Sequence, residues 1–150
     1  MRAVVQRVSW AKVEVDGEVT GAIERGLLVY LGAGKGDGDA ERAWVLSKVL
    51  GLRIFEDEAS GKMDRSVVDV GGSLLVVSQF TLYGDVTKGR RPSFDAAMPP
   101  EEAERAYEAF VRDARATGIR VETGRFRADM KVSSLNDGPV TIWIDSARSK

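Results

Sequence analysis

The first part of the chain is a series of apolar runs separated by breaks that contain glycine. Val4, Val5 and Val8 predict a first strand, and Trp10, Val13 and Val15 predict a second. Asp16-Gly17 predicts a hairpin turn into a third strand at residues 19–23. Residues 26–32 are apolar almost without interruption, which is typical of a strand buried on both faces.

Two later segments repeat their apolar residues at helical spacing. The first is predicted to begin at Asp39, as a capping residue, and to end near Leu50. The second begins at Pro99-Pro100-Glu101-Glu102 and ends at Gly118, because proline and acidic residues favour a first turn and glycine favours a helix end. The apolar faces comprise Ala43, Leu46, Val49 and Leu50 in the first helix, and Ala103, Tyr107, Phe110 and Ala114 in the second.

The remaining apolar runs are short and complete an alternation of strands and helices. We expect further strands at residues 53–55, 74–77, 119–123, 130–135 and 140–145. The sequence has no linker, repeat or low-complexity segment, so residues 1–150 are predicted to form a single domain. This order predicts a mixed α/β fold, in which mixed sheets form an open barrel-like, three-layer arrangement with two main helices packed outside.

The composition excludes several kinds of catalytic and metal-binding site. The sequence contains neither cysteine nor histidine, which excludes disulfides, thiolate nucleophiles, metal sites built on those residues and histidine as a general base. No ligand cluster suggests a metal, and no motif predicts a cofactor. Without an apolar run as long as a membrane span or a signal-peptide pattern, the protein is expected in the cytoplasm.

The charge balance limits any contact with nucleic acid. The net charge is −1 and the sequence pI is about 5.6, whereas a protein that wraps long nucleic acid is usually basic. Lys88, Arg90 and Arg91 form one local basic cluster that could make a small contact with RNA. A charged surface loop is the simpler interpretation of the same residues.

Two short segments are the candidates for chemistry. Ser78-Gln79-Phe80-Thr81-Leu82-Tyr83 follows a buried strand, where functional groups commonly lie, although on propensity alone it is a strand ending at the surface. Asn136-Asp137-Gly138-Pro139 lies between two predicted strands and indicates a hairpin turn. Proline lacks an N–H and removes a ladder bond, so this turn is either an ordinary connection or a rigid tip with its own function.

Together, Ser78-Gln79-Phe80-Thr81 and Asn136-Asp137-Gly138-Pro139-Val140-Thr141 resemble the two signature motifs of the D-aminoacyl-tRNA deacylases. One departure is Ser134, where relatives tend to have an apolar residue. The resemblance extends over essentially the whole chain: Gln6-Arg7-Val8 resembles the family's opening strand, residues 89–94 its basic loop, and residues 123–130 the segment that leads into its penultimate strand.

The resemblance implies a homodimeric enzyme that hydrolyses the ester between a D-amino acid and the terminal adenosine of tRNA. Gly138 and Pro139, joined by a cis peptide, would reach from one subunit into the pocket of the other and reject L-amino acids. Glycine has no side chain to reject, so glycyl-tRNA is also an expected substrate. The implied site residues are the catalytic segment Ser78, Gln79, Phe80 and Thr81, the pocket supports Arg7, Phe126, Met130 and Asn136, and the candidate tRNA contacts Lys88, Arg90 and Arg91.

The absence of histidine is compatible with this chemistry. An aminoacyl ester is already reactive, and the adjacent ribose hydroxyl can assist the attack of water. The protein then mainly needs to orient the ester and to stabilise an oxyanion with backbone N–H groups. We expect main-chain amides near Gln79 and Phe80 to act in this way. Thr81 is the obvious side-chain nucleophile, but the sequence offers no recognisable base to activate it.

Three other interpretations fit the sequence. The chain could be a non-catalytic module that binds RNA ends, from which turnover of a D-aminoacyl-tRNA would distinguish an enzyme. It could be a deacylase of another mischarged tRNA with a trans Gly-Pro turn, although the motif at residues 136–141 favours the D-specific form. It could also be a purely structural dimer in which the pocket at residues 78–81 is occluded.

Overall fold

The computed structural model describes residues 1–149. The strands are β1 (Arg2–Val15), β2 (Glu18–Ile23), β3 (Gly26–Gly32), β4 (Phe55–Glu56), β5 (Met63–Arg65), β6 (Ser73–Ser78), β7 (Val121–Thr123) and β8 (Lys131–Asp145). The α-helices are α1 (Asp39–Gly51) and α2 (Pro100–Ala116), and 3₁₀ helices lie at Phe80–Tyr83 and Ser146–Ser149. Within residues 1–149, neither α-helix has the length and apolar character needed to cross a membrane.

The main sheet is mixed and curls into a nearly closed barrel. Its order is β2-β1-β3-β6-β7, and β8 pairs with the other edge of β1. The pairs that include β1 are antiparallel, whereas β3–β6 and β6–β7 are parallel. The Thr20 hydroxyl donates to the Thr123 carbonyl at 3.4 Å, which connects β2 to β7 near the closure. The predicted mixed α/β class with a barrel-like sheet is confirmed.

Apolar side chains on the two faces of this sheet form two cores. One core joins the sheet to the helices and includes Val76, Val49 and Phe110, whereas the other fills the barrel interior and includes Leu28 and Leu75. The uninterrupted apolar runs of β3 and β6 follow from burial on both faces. Burying each such side chain contributes about 1.5–3 kcal/mol, so β3 and β6 are firmly held. The segment that follows β6 therefore begins from a fixed position.

A close backbone approach fixes β6 against β3. A Cβ added at Gly26 would lie 1.9 Å from the Ser73 carbonyl oxygen, so only glycine allows the two strands to lie at this distance. The register then runs in parallel to the pair Leu31–Ser78 at the other end. Ser78 is therefore held at the carboxyl end of a buried parallel pair, where sheet proteins commonly place functional groups.

The helices follow their predicted limits closely, but the predicted cap of α1 and one residue of its buried face are wrong. Gly38 precedes α1, and its N–H donates to the Glu41 carboxylate at 2.8 Å, so Asp39 is the first helical residue rather than the cap. Ala43 faces solvent, and Val45 is buried in its place. The prediction was wrong there because the buried stripe consists of Val45, Leu46 and Val49, which Ala43 opposes across the helix. In α2, Tyr107, Phe110 and Ala114 are buried as predicted.

The predicted hairpin at residues 136–139 is wrong, because β8 is one long strand. Both of its halves pair antiparallel with β1, through Thr141 opposite Gln6 and Asn136 opposite Val8. Residues 137–140 therefore lie opposite Arg7 alone and form a bulge out of a continuing strand. In the same way, the two strands predicted at residues 4–8 and 10–15 are parts of the single strand β1. Asn-Asp-Gly-Pro is compatible with a bulge as well as with a turn, and only the pairing partner distinguishes them.

Candidate active site

A largely apolar cavity of about 650 Å³ opens where β3 and β6 end. Its walls come from those strand ends, the 3₁₀ helix that follows β6, the start of α2 and residues 126–132. Its size matches a site for a small molecule or for the end of a larger one. The sequence-predicted residues in its wall are Ser78, Gln79, Phe80, Phe126 and Met130.

The backbone after β6 has a free donor in Phe80, a residue that lines this cavity. The Gln79 N–H donates to the Leu31 carbonyl at 2.8 Å, so it is already used in the pairing with β3 and is not a donor to a substrate. The chain then turns into the 3₁₀ helix Phe80–Tyr83, and the first N–H groups of a helix have no partner within it. Within residues 1–149 no acceptor pairs with the Phe80 N–H. Of the two expected amides, only that of Phe80 can therefore serve a bound ligand.

The side chains of this segment form their own contacts. The Gln79 amide donates to the Thr81 hydroxyl. Thr81 is exposed and contacts no carboxylate or amine of residues 1–149 that could accept its proton. The Phe80 and Phe94 rings meet edge to face, with centroids 5.0 Å apart, at the rim of the cavity. The segment thus offers a backbone donor and an aromatic rim but no activated nucleophile.

The inner wall is held by a buried tyrosine that sequence reasoning assigned only to the helix core. The Tyr107 hydroxyl donates to the Val76 carbonyl at 2.7 Å, and burial raises the pKa of Tyr107 to about 12. It is therefore neutral near pH 7 and has no role as a base. Its ring lies against Phe126, with centroids 6.1 Å apart. Met130 closes the wall near Gly124, where an added Cβ would lie 2.6 Å from its sulfur.

The Gly138–Pro139 bulge, hereafter the tip, lies outside this cavity. Its peptide bond is cis, and both residues are exposed. Asn136 spans the base of the bulge: its Oδ1 accepts from the Val140 N–H at 2.9 Å, and its Nδ2 donates to the Thr141 hydroxyl at 3.0 Å. The tip is thus held by its own strand and does not line the cavity of the same chain.

Arg7 supports the tip from β1. Its Nε donates to the Asp137 carbonyl at 2.9 Å, and its Nη1 donates to the Ile54 carbonyl at 2.7 Å. Arg7 and Asn136 were both predicted to support the pocket. The structure places them around the tip instead, and neither lines the cavity of its own chain.

The basic cluster lies on an exposed loop that leads to the cavity rim. Lys88, Arg90 and Arg91 are exposed at the end of a loop whose neck is closed by two hydrogen bonds between Asp85 and Ser93, of 2.7 and 2.9 Å. None of the three lines the cavity. The loop returns through Phe94 to the aromatic rim, so the base of the loop is joined to the cavity wall.

The sequence did not predict the charge of Arg127 in the cavity wall or the backbone conformation of this residue. Arg127 contributes the only charged side chain among the residues, all within 1–149, that line the cavity, and its φ is +63°. Nothing in the amino-acid pattern distinguishes it from the other arginines near it. Across residues 1–149, no three carboxylates are grouped closely enough to hold a metal ion.

Comparison with known proteins agrees with this geometry. A family model described as D-Tyr-tRNA(Tyr) deacylase matches residues 4–145. Proteins named D-aminoacyl-tRNA deacylase include one from Koribacter versatilis, 62% identical over 148 residues and covering 99% of both chains. Another, from Geobacter metallireducens, is 60% identical over 149 residues and covers 99% of this chain and 98% of the relative.

Two solved structures share the fold over nearly the whole chain. One, described as c-Myc DNA Unwinding Element Binding Protein, has a TM-score of 0.92 at 45% identity and covers 97% of this chain and 98% of the other. The second is described as a structural analysis of a probable eukaryotic D-amino acid tRNA deacylase. It has a TM-score of 0.79 at 20% identity and covers 95% of this chain and 97% of the other, which is evidence for the fold alone.

The fold, the cavity and these relatives define a hydrolase that acts on carboxylic ester bonds. The chain belongs to the D-Tyr-tRNA(Tyr) deacylase family, whose model matches from β1 to the end of β8.

Proposed function

We propose that this chain hydrolyses the ester bond of D-aminoacyl-tRNA and leaves L-aminoacyl-tRNA intact. The observation that supports this most directly is the unpartnered Phe80 N–H in the wall of a cavity of about 650 Å³. An apolar cavity with one free backbone donor suits an aminoacyl ester, whose carbonyl oxygen needs a hydrogen-bond donor when it becomes negative. Relatives of nearly equal length with the corresponding name support the same substrate.

The proposed reaction uses the nucleotide in place of a protein base. Water attacks the ester carbon and forms a tetrahedral oxyanion, to which the Phe80 N–H donates. The adjacent ribose hydroxyl relays a proton from the water to the departing ribose oxygen, so that the amino acid and the tRNA separate. Tyr107 remains neutral, and Thr81 has no activating partner, so the protein contributes orientation and a preorganised donor.

Selectivity is proposed to come from the tip of a second copy of the chain. Gly138 and Pro139 are exposed and do not line the cavity of their own chain, so they can act on a bound ester only from another molecule. Trp10, Leu135 and Trp143 are exposed on β1 and β8, which is compatible with burial of that side in a homodimer.

The tip suits this task because it presents main-chain atoms, and neighbouring side chains hold these atoms from both sides. Ten-thousandfold discrimination requires about 5.5 kcal/mol, whereas the fit of one methylene in an apolar pocket supplies only about 1–3 kcal/mol. Backbone atoms fixed by Arg7 and Asn136 cannot yield to an L side chain. Glycine presents no side chain to exclude, so glycyl-tRNA should be hydrolysed as well. Lys88, Arg90 and Arg91 are proposed to contact the tRNA beside the mouth.

Hydrolysis of matched D-tyrosyl-, L-tyrosyl- and glycyl-tRNA by the purified protein tests this function. We expect rapid loss of the D ester, measurable loss of the glycyl ester, and an L ester that decays at the rate seen without protein. Binding of all three without turnover would support a non-catalytic RNA-end module instead. Equal turnover of the D and L esters would favour a deacylase of another mischarged tRNA.

Replacing Thr81 with alanine is expected to leave most of the activity. The threonine hydroxyl has no base to activate it, and its one described contact is the Gln79 amide, so we expect a loss of less than about tenfold in kcat, as for one neutral hydrogen bond. Single-turnover hydrolysis of D-tyrosyl-tRNA measures this directly. Thr117→Ala, at the end of α2, is a matched control for the loss of a threonine elsewhere. A fall to the uncatalysed rate would identify Thr81 as the nucleophile.

A further inference from the structure

Arg127 is placed to meet a negative charge that enters the cavity with its ligand. Within residues 1–149, it has the only charged side chain in the cavity wall. Met1 also lines the wall, but its N-terminal ammonium already pairs with Asp37 at 2.6 Å. It is exposed, and no ion pair or hydrogen bond of its side chain occurs within that range. Two of the neighbouring charges, Asp129 and Lys131, instead pair with each other at 3.1 Å. The Arg127 guanidinium is therefore available to an anionic ligand.

The backbone at this position favours glycine, yet the residue is arginine. Its φ of +63° lies in the left-handed region, which costs an L residue roughly 1–2 kcal/mol. The Arg125 carbonyl accepts from the Ala128 N–H at 3.2 Å, which closes the turn around Arg127. A strained non-glycine residue that lines a cavity is a reason to look for a function of its side chain.

We infer that Arg127 binds the phosphodiester that joins the terminal adenosine of the substrate to the preceding nucleotide. This inference rests on the proposed function, because an aminoacyl-adenosine in the cavity must continue into the RNA through that group. The planar guanidinium matches two phosphate oxygens at once. Arg127 would thereby register the strand so that the ester reaches the Phe80 N–H, and it would be a substrate-binding residue rather than a catalytic one.

The test compares two esters that differ in this phosphodiester, D-tyrosyl-tRNA and D-tyrosyl-adenosine. Wild type, Arg127→Gly and Arg127→Lys are assayed at several salt concentrations. The glycine variant should lower kcat/KM for the tRNA ester about tenfold more than for the adenosine ester, as expected for one lost charge-assisted contact. The slope of log(kcat/KM) against log[salt] for the tRNA ester should become shallower by about 0.7, the value for one phosphate on a single strand. The lysine variant should keep most of that slope.

The Arg127→Gly variant also distinguishes a loss of binding from a loss of folded structure. Because glycine readily adopts a positive φ, Arg127→Gly should melt no lower than wild type, so its loss of activity is not a loss of structure. Arg125→Gln removes an equal charge two residues away, outside the cavity wall, and should leave the salt slope unchanged. Equal losses on both esters, or an unchanged slope in Arg127→Gly, would overturn the inference and leave the deacylase proposal standing. A wild-type protein that cleaves neither ester would overturn both.

Discussion

Replacing Gly138 with alanine is expected to lower kcat/KM for D-tyrosyl-tRNA about a hundredfold and to reduce the preference for D over L esters. The φ of Gly138 is +139°, which L side chains rarely adopt. An added Cβ would lie 2.9 Å from Nη2 of Arg7 and 2.9 Å from Cγ2 of Val140. The tip must shift to relieve these contacts, and a displacement of about 1 Å of a positioning element can cost a hundredfold in rate.

Gly118→Ala is the matched control for this variant. Gly118 also has a positive φ, of +93°, but nothing lies within 4 Å of its added Cβ, and it follows α2 rather than the tip. Its cost should appear as a lower melting temperature with an unchanged ratio of D to L hydrolysis. Gly138→Ala should change that ratio at a melting temperature similar to that of Gly118→Ala. If Gly138→Ala kept the rate and selectivity of wild type, the tip would have no part in sorting substrates.

Mixed dimers decide whether the tip acts on its own subunit or on the other. One protomer carries Gly138→Ala, and the other carries a defective cavity wall, such as Phe80→Pro. If the tip acts across the interface, the protomer with the intact cavity receives an intact tip, and one site of the mixed dimer is active. If the tip acts within its own chain, the mixture stays as inactive as either variant alone.

The sequence predicted the elements well and their connections less well. The apolar runs of β3 and β6 and the helical spacing of α2 depend on local periodicity, so they were readable without coordinates. Whether residues 130–135 and 140–145 form a hairpin or one strand depends on the partner of each half. Both pair with β1, a strand more than a hundred residues away, and no local pattern contains that information.

The candidate site was likewise predictable only in part. Ser78, Phe80, Phe126 and Met130 line the cavity, and their roles in a site stay a prediction. The pairing of the Gln79 N–H with Leu31 could not be foreseen, because it arises from the parallel register between β3 and β6. The separation of the tip from the cavity of its own chain is likewise a consequence of the β8 bulge. Under the proposed function, the two motifs act together across two chains although they lie apart within one.

Replacing Phe80 with proline is expected to lower kcat about a hundredfold to a thousandfold, the effect of removing one oxyanion donor. Proline has no N–H, so the change deletes the donor that the proposed mechanism requires. Phe80 is the first residue of its 3₁₀ helix, a position where proline is tolerated because that N–H has no helical partner. Gln79 has φ −144° and ψ 80°, so it is outside the α region that a following proline disfavours.

Phe80→Ala distinguishes the contribution of the backbone donor from that of the aromatic ring. It removes the edge-to-face contact with Phe94 but keeps the N–H, so we expect it to retain far more activity than Phe80→Pro. An interaction made only in the transition state lowers kcat and kcat/KM equally, and Phe80→Pro should show that pattern with KM nearly unchanged. Circular dichroism and melting temperature verify that both variants fold. If proline and alanine lowered kcat to the same extent, the Phe80 ring rather than its backbone would be responsible, and the oxyanion would need another donor.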